Sequence, residues 1–377
     1  MPNTPLRSGG PSARIAVIPG DGIGKEVTPV AVSAIKAAIA RHRRHIEFVE
    51  FDWGADKFLR DHITLPERAV EMLRDEFDAI LFGALGDPRV PSNQYAADIL
   101  LGLRFKLDLF VNARPSELFH ERLTPLKERT LNDIRLIVFR ENTEGIYVGA
   151  GGFFKRGTAD EIATQEDLNS RKGVERILRF AFDFARSHSH GTAGFQPASS
   201  TNKPLRLCMS DKSNAMIFAG DLWQRTFKSV RAEYPDIDSR HLYIDTLAME
   251  LVRDPRQFDV IVTNNLFGDI ISDLAAELAG GLGLAPSGNI HPGCTSLFEP
   301  VHGSAPNIAG KGIANPFGSV LAAGMMLDFL GWREEAALLK QSVKAALHDE
   351  FTTPDLHGSK NTLEVADFLL RHISKHS

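Results

Sequence analysis

Two aspartates four residues apart, Asp269 and Asp273, are the side chains of this chain whose type and spacing suggest chemistry most directly. They follow the strand-like run 258–263. A helix beginning near Phe267 would place both carboxylates on one face, with Cβ atoms about 5–6 Å apart. Such a pair repels itself unless a cation lies between, and Mg²⁺ or Mn²⁺ prefers oxygen ligands of this kind. Taken alone, the segment fits an ordinary solvated helix face better than a metal site, opposite a buried stripe formed by Phe267, Ile270, Ile271, Leu274 and Leu278.

Composition excludes several classes of protein. The 377 residues are enough for two domains or one large one, and 43% hydrophobic with 24% charged residues is typical of a globular protein. A net charge of −5 gives no basic surface for nucleic acid. No apolar run approaches the roughly 18 residues of a membrane helix, and the N-terminus lacks a secretory apolar segment. Cys208 and Cys294 lie in unrelated contexts, so we expect free thiols and a cytoplasmic protein.

Strand-like and helix-like runs alternate along the chain. This alternation predicts an α/β fold with a largely parallel or mixed sheet. One segment, 187–204, is rich in small, polar and helix-breaking residues and predicts a flexible surface insertion, with a metal site at His188 and His190 as the alternative. The predicted strands are 14–18, 78–81, 134–139 and 205–209, and the predicted helices are 27–38 and 171–186.

Two glycine-containing loops are candidates for binding phosphates or nucleotides. Residues 20–24 read G-x-G-x-G after a predicted strand, which is not the dinucleotide-binding spacing G-x-G-x-x-G. We interpret this loop as a tight turn that allows a close backbone approach. The second loop, 299–316, is rich in glycine and proline, and by its pattern alone it fits a nucleotide-binding loop and a structural loop equally.

Taken together, these segments resemble the β-decarboxylating dehydrogenases of the isocitrate and 3-isopropylmalate dehydrogenase family. Several motifs occur in family order over about residues 14–330, which makes the resemblance specific. A phosphate-binding NTPase is excluded because the chain lacks G-x-x-x-x-G-K-[ST]. The motifs are 18–24, 103–104 with 112–115, 140–147, 211–214, 243–245, 265–273 and 299–316.

The resemblance implies a two-domain, non-Rossmann fold of mixed sheets flanked by helices. A larger cofactor-binding domain would comprise 1–109 and 281–377. A smaller domain, 110–280, would bind substrate and form a homodimer with shared active sites.

The family oxidises a 2-hydroxy acid at C2, passes hydride to NAD(P)⁺ and then removes the carboxyl group at C3. By resemblance, Asp269 and Asp273 hold Mg²⁺ or Mn²⁺ together with Asp245 of the partner subunit. Lys212 matches the general base, a role that requires burial or neighbouring positive charge. Tyr147 matches the general acid that protonates C3. A catalytically silent subunit is the alternative from another class, but all five residues are present.

Substrate and cofactor positions follow from the same resemblance. Arg104, Arg114 and Arg140 match three arginines that bind substrate carboxylates, which suits the planar guanidinium group. The cofactor would be NAD, with a smaller preference over NADP than in relatives that carry aspartate at position 307. The implied cofactor residues are His302, Gly303, Ser304, Ala305, Pro306, Asn307, Ile308 and Asn315.

The residues before Arg104 bear on the substrate, because in the family they face the substituent at C3. Leu100 and Leu101 would make a third carboxylate cost several kcal/mol, whereas an isopropyl group gains about 2 kcal/mol there. This favours 3-isopropylmalate, converted to 2-oxoisocaproate in leucine biosynthesis. Two departures weaken this assignment. Residues 142–145 resemble isocitrate- and tartrate-type members, and Ala97 stands where many isopropylmalate enzymes carry a glutamate close to the nicotinamide. Tartrate, D-malate and isocitrate therefore remain alternatives.

Overall fold

The computed structural model describes residues 10–40, 42, 44–92, 94–188 and 205–376. Most of the predicted insertion, 189–204 with His190, lies outside these residues. Within them, His188 follows the last turn of a helix, where its ring stacks on Phe184 at 3.8 Å between centroids.

Strands and helices alternate through the described chain. The strands are β1 (Ser12–Gly20), β2 (His45–Glu50), β3 (Ala79–Ala84), β4 (Val111–Glu117), β5 (Arg135–Glu141), β6 (Gly151–Phe154), β7 (Ile162–Gln165), β8 (Leu207–Asp211), β9 (Ser239–Tyr243), β10 (Val260–Thr263), β11 (Pro286–Ile290) and β12 (Ser296–Pro300). The helices are α1 (Gly24–Ile39), α2 (Ala55–Asp61), α3 (Ala69–Glu76), α4 (Gln94–Lys106), α5 (Arg171–Ser187), α6 (Ile217–Arg231), α7 (Ile244–Arg253), α8 (Asn265–Leu278), α9 (Phe317–Phe329), α10 (Arg333–His348) and α11 (Thr362–His376).

One ten-stranded mixed sheet, in the order β2-β1-β3-β12-β11-β4-β5-β10-β8-β9, organises the described chain. Its outer strands pair in parallel on both sides, while β11 and β4 pair antiparallel with their neighbours at the centre. The five strands from β2 to β11 come from residues before 110 or after 280, and the five from β4 to β9 come from between. The expectation of a mixed α/β sheet is therefore confirmed.

Helices cover both faces of this sheet, and the apolar side chains between them form the cores. On one face, α1, α9, α10 and α11 pack beside α5 and α6 in a continuous buried cluster. On the other face, α2, α3 and α4 cover one half and α7 and α8 cover the other. Strands buried on both faces read as continuous apolar runs, which is why the sequence revealed β3 and β5.

The predicted elements occur, with boundaries that differ by a few residues. The strand predicted at 14–18 is β1, the helix predicted at 171–186 is α5, and the run 258–263 contains β10. Among the described residues, no helix combines the length and apolar content needed to cross a membrane.

Helix α8 begins two residues earlier than predicted, because the side chain of Asn264 accepts a hydrogen bond from Phe267 N (2.9 Å) and caps it. The predicted buried stripe was wrong at one position. Ile270 is 59% exposed, whereas Ile271 and Leu278 are buried. The sheet covers only one side of α8, and Ile270 lies on the side that faces outward.

Candidate active site

A cleft of about 860 Å³ opens where α4, α8 and the ends of several central strands meet. It is lined by side chains from sequence regions far apart, which the sheet topology brings together. Of the predicted site residues, the cleft is lined by Leu100, Leu101, Arg104, Arg114, Arg140, Tyr147, Asp269, His302, Gly303, Ser304, Ala305 and Pro306.

Three arginines converge on this cleft, and each is buried. Arg114 lies on β4, Arg140 near the end of β5 and Arg104 in the last turn of α4; Arg140 is only 1% exposed. Arg104 is not a surface residue, since its side chain is buried against Glu299. Three buried guanidinium groups favour a ligand that carries more than one negative charge.

Asp269 is the acidic centre of the arginine cluster. It accepts a hydrogen bond from Tyr147 Oη (2.6 Å) and forms an ion pair with Arg140, whose Nε is held by Asn265 Oδ1 (2.9 Å). Burial opposes ionisation of Asp269. Arg140, Arg114 and the Tyr147 hydroxyl outweigh this effect and hold the pKa of Asp269 below its usual range. Asp269 is therefore an ionised carboxylate at neutral pH.

The second aspartate of the pair lies beside the first, as the spacing predicted. Arg114 Nη1 is 3.3 Å from Asp269 Oδ1 and 3.0 Å from Asp273 Oδ1, so both oxygens converge on one cationic group. Burial, together with the charge of Asp269, raises the pKa of Asp273 above its usual range. A carboxylate pair of this kind gains stability from added positive charge.

Tyr147 is positioned by the short helical turn Ile146–Val148. Its ring packs against the Arg140 guanidinium, with 5.0 Å from Cζ to the ring centroid, and its hydroxyl donates to Asp269. Burial and this hydrogen bond raise the pKa of Tyr147 above its usual range. The phenol therefore keeps its proton at neutral pH, as a proton donor must.

One wall of the cleft is apolar. Leu100 and Leu101 project from α4 one turn before Arg104, and Ala97 lies on the same helix. The residues between β3 and α4 complete the wall, a contribution that the sequence analysis missed although two prolines mark the segment. These additional lining residues are Leu85, Pro88, Val90 and Pro91, and Ala96 adds to the same wall from the first turn of α4.

The loop 302–306 forms the opposite side of the cleft, and the G-x-G-x-G segment supports it. Ile23 N donates to Ser304 O (2.9 Å), and a Cβ at Gly22, whose φ is +52°, would lie 2.1 Å from the same oxygen. The close backbone approach predicted for residues 20–24 is thus made to the second loop.

Three of the predicted cofactor residues do not line the cleft. Asn307 is exposed and Ile308 is half-buried beyond the loop 302–306. Asn315 is buried, where its Nδ2 donates to Asp355 Oδ2 (2.9 Å) and its Oδ1 accepts from Phe317 N (2.9 Å). The side chain of Asn315 therefore connects the loop to α9.

Lys212 and Asp245 do not line the cleft of their own chain. They contact each other, with 2.7 Å between Lys212 Nζ and Asp245 Oδ1, and this hydrogen bond lowers the pKa of Asp245. Among the described residues, no three His, Cys, Asp or Glu side chains cluster as a metal site would require. Within the described part of the chain, Asp269 and Asp273 thus form no group of three with another acidic side chain.

Two charged residues that the sequence analysis left without a role are explained by the geometry. Glu299 lines the cleft and accepts from Arg104 Nη2 (2.9 Å). Glu144, part of the departure at 142–145, lies instead at the start of α5, where it accepts from Ser170 N (2.7 Å). Glu144 therefore caps a helix, and none of residues 142–145 is among the side chains that line the cleft.

Comparisons with known proteins agree with this geometry. The family described as isocitrate/isopropylmalate dehydrogenase matches residues 14–369. A 3-isopropylmalate dehydrogenase of Thermobifida fusca is 41% identical over 97% of this chain and 98% of its own length. One of Streptomyces griseus is 44% identical over 95% and 97%.

Solved structures show the same relationship. The isocitrate dehydrogenase of Methylococcus capsulatus superposes with a TM-score of 0.82 at 32% identity, covering 96% of this chain and 99% of that one. A β-decarboxylating dehydrogenase of Thermococcus kodakarensis in its apo form gives 0.75 at 35% identity, covering 96% of each. The chain is thus a decarboxylating dehydrogenase that belongs to the isocitrate/isopropylmalate dehydrogenase family.

Proposed function

We propose that this enzyme catalyses the NAD-dependent, Mg²⁺- or Mn²⁺-dependent oxidative decarboxylation of 3-isopropylmalate to 2-oxoisocaproate, in leucine biosynthesis. The observation that carries this proposal is the position of the apolar wall, Leu100 and Leu101, one helical turn from Arg104 in a cleft with three buried arginines. The relatives in Thermobifida and Streptomyces carry the name of this activity.

The cleft suits a diacid that has one apolar substituent. Carboxylates would pair with Arg104, Arg114 and Arg140, because a guanidinium group binds a carboxylate through two parallel hydrogen bonds. An isopropyl group against Leu100 and Leu101 would gain about 2 kcal/mol by leaving water. A third carboxylate in that position would lose its hydration without a charged partner from these leucines.

The residues present fit a hard divalent cation. Asp269 and Asp273 direct oxygens to one point, where the Arg114 guanidinium now supplies positive charge. Asp245 of a second copy is our proposed third ligand, since a single chain lacks one among its described residues. When bound, Mg²⁺ or Mn²⁺ would stabilise negative charge on the substrate oxygen at C2 during both chemical steps.

Proton transfers would be divided between two residues. Lys212 of the second copy would accept the proton of the C2 hydroxyl, and the hydride would pass to the nicotinamide. After loss of the C3 carboxyl group, Tyr147 would donate its phenolic proton to C3. The raised pKa of Tyr147 supports this role, because the donor must be protonated before the step.

The loop 302–306, which Gly22 and Ile23 support, is our proposed cofactor-binding segment, with Asn307, Ile308 and Asn315 at its C-terminal side. Asn307 is exposed and neutral, so it neither repels the 2′-phosphate of NADP nor supplies a cation for it. Without a charge-assisted bond to that phosphate, NAD is preferred, by a smaller margin than aspartate would give.

Exposed apolar side chains support a homodimer with shared sites. The hairpin β6–β7 carries Phe153 and Phe154, which are 60% and 62% exposed, and α7 and α8 carry Met249 and Ile270, both 59% exposed. A two-stranded hairpin has little stability alone, and contiguous apolar surface is typical of interfaces. Residues 110–280 would form the smaller domain, which makes the dimer contact, and residues 1–109 together with 281–377 would form the larger domain.

We also propose that the enzyme is cytoplasmic, and we keep other 2-hydroxy acids as second candidates for its substrate. Cys208 is buried and Cys294 exposed as free thiols, which suits a reducing cytoplasm. Isocitrate, tartrate and D-malate remain the second candidates because Ala97 lines the cleft where many isopropylmalate enzymes carry glutamate.

A substitution in the apolar wall tests the substrate assignment. Leu100→Ser should lower kcat/KM for 3-isopropylmalate by about tenfold or more, since a buried isopropyl contact is lost, while D-malate is affected less. Leu59→Ser on α2, at a leucine already 41% exposed, is the matched control. Equal losses for both acids would contradict the proposed contact.

A further inference from the structure

A buried asparagine, Asn289 on β11, joins the elements that carry the three cleft arginines. Its Oδ1 accepts from Asn112 Nδ2 (3.0 Å) and from Asn142 Nδ2 (3.0 Å), and its Nδ2 donates to Glu299 Oε1 (2.8 Å). Asn112, Asn142 and Asn289 are each at most 1% exposed. Since the Glu299 carboxylate only accepts, these bonds fix the orientation of the Asn289 amide.

On one side, this amide reaches Arg104 through a single intermediary. Glu299 Oε1 accepts from both Asn289 Nδ2 and Arg104 Nη2, and Glu299 and Arg104 are both 6% exposed. Arg104 Nε has no hydrogen-bond partner within the described chain. The pair with Glu299 is therefore a principal restraint on the direction of the Arg104 guanidinium.

On the other side, the amide holds the strands that carry the remaining arginines. Asn112 lies on β4 two residues before Arg114, and Asn142 follows β5 two residues after Arg140. Asn289 is aligned with Asn112 in the pairing of β11 and β4. The carboxamide of Asn289 thus contacts β4 and the end of β5 on one side and Glu299, the partner of Arg104, on the other.

We propose that Asn289 is a positioning residue that sets Arg104, through Glu299, relative to Arg114 and Arg140, and so determines the affinity for a dicarboxylate substrate. A carboxamide is required because the position needs a donor toward Glu299 and an acceptor toward two asparagines; aspartate offers only acceptors and leucine neither. The inference rests on the proposed function, in which these arginines bind substrate carboxylates.

A double-mutant cycle between Asn289 and Arg104 tests the proposal. Asn289→Ala, Arg104→Met and the double variant are compared by steady-state kinetics with 3-isopropylmalate and NAD. Alone, Asn289→Ala should raise KM for the diacid by about tenfold, with a smaller change in kcat and an unchanged KM for NAD, because Arg104 loses its buried restraint. In the Arg104→Met background, the same substitution should change KM for the diacid by less than about twofold.

The double-mutant cycle distinguishes failure of the proposed function from failure of the positioning inference. If Arg104→Met itself leaves KM for 3-isopropylmalate unchanged, the proposed substrate-binding role fails. If Arg104→Met raises KM but Asn289→Ala adds its full effect in that background, Asn289 is only structural and the positioning inference is wrong.

Two further variants separate positioning from stability. Ser287→Ala, on β11, removes another buried hydrogen-bond partner of Asn112 (2.8 Å). Ser287 lies opposite Glu299 in the backbone pairing of β11 and β12, but none of the described hydrogen bonds joins its hydroxyl group to the Glu299 carboxylate. This variant should therefore lower the melting temperature without raising KM for the diacid. Asn289→Asp keeps the size but removes the donor, and it should raise KM as Asn289→Ala does. Wild-type KM in a folded Asn289→Asp enzyme would overturn the proposal.

Discussion

At the scale of single residues, the site depends on charges that compensate one another inside the cleft. Asp269 accepts a hydrogen bond from Tyr147 and forms ion pairs with Arg140 and Arg114. Its negative charge therefore balances two buried guanidinium groups and would also bind the proposed cation. The sequence revealed these residues through their motifs. It could not reveal that Glu299 restrains Arg104, because 195 residues separate the two partners and no local pattern links them.

Asp269→Asn should reduce kcat by about a hundredfold or more, because the charge that balances two buried arginines and holds the proposed cation is removed. Steady-state kinetics over a range of Mg²⁺ and Mn²⁺ concentrations measures this loss. Glu277→Gln, at an exposed position of the same helix, is the control and should retain activity. Full turnover of the unmodified enzyme in excess chelator would disprove the metal requirement.

Asn307 is the residue on which cofactor choice depends in our account. Asn307→Asp should widen the preference for NAD, mainly through a higher KM for NADP, because an added carboxylate repels the 2′-phosphate. The ratio of kcat/KM for the two cofactors is the measurement. If the unmodified enzyme prefers NADP, or if the ratio does not respond to aspartate, another residue controls the choice.

At the scale of elements, periodicity predicted the type of the segments named from the sequence but not which elements would pack beside them. Residues 15–18 are buried on both faces within β1, and the spacing in 171–186 gives α5 its apolar face. The exposure of Ile270 was not predictable from the sequence. The spacing of apolar residues in α8 does not distinguish a side chain that packs against the sheet from one that lies on the outward-facing side of the helix. Apolar periodicity therefore predicts which face of an element is buried, but not the burial of every residue on that face.

The turn at 20–24 packs directly against the loop 302–306, so a change in the turn should alter the loop. Gly22→Ala should raise KM for NAD several-fold, because Cβ would meet Ser304 O and φ is +52°, which together cost on the order of 1–3 kcal/mol. KM for the diacid should change less.

The control for this substitution is Gly324→Ala on α9, where a Cβ would make ordinary contacts, none closer than 3.6 Å. It should leave both KM values unchanged. A Gly22→Ala enzyme that is folded and binds NAD normally would show that the loop does not depend on this turn.

At the scale of the whole molecule, strand order could not be predicted from periodicity, because pairing between distant strands is not encoded locally. The resemblance implied mixed sheets flanked by helices without giving the order of the strands, and the mixed sheet of the structure agrees with that expectation. The sharing of sites between copies remains a prediction. It is supported by Lys212 and Asp245 lying apart from the cleft of their own chain.

Mixing two inactive variants tests this sharing. In a heterodimer of Lys212→Ala and Asp269→Asn subunits, one site would carry both defects and the other neither, so some activity should return. The activity of the exchanged mixture is compared with that of each parent after the same treatment. Heterodimers that are demonstrably exchanged and still inactive would mean that each site is built from one chain.

In the mechanism that we propose, an apolar wall beside three arginines selects 3-isopropylmalate. Its most direct test is a steady-state comparison of 3-isopropylmalate, isocitrate, D-malate and tartrate with the unmodified enzyme, NAD and Mg²⁺ or Mn²⁺. We predict the highest kcat/KM for 3-isopropylmalate, since it alone places an isopropyl group against Leu100 and Leu101. A clear preference for isocitrate, whose third carboxylate would face those leucines, would contradict the account.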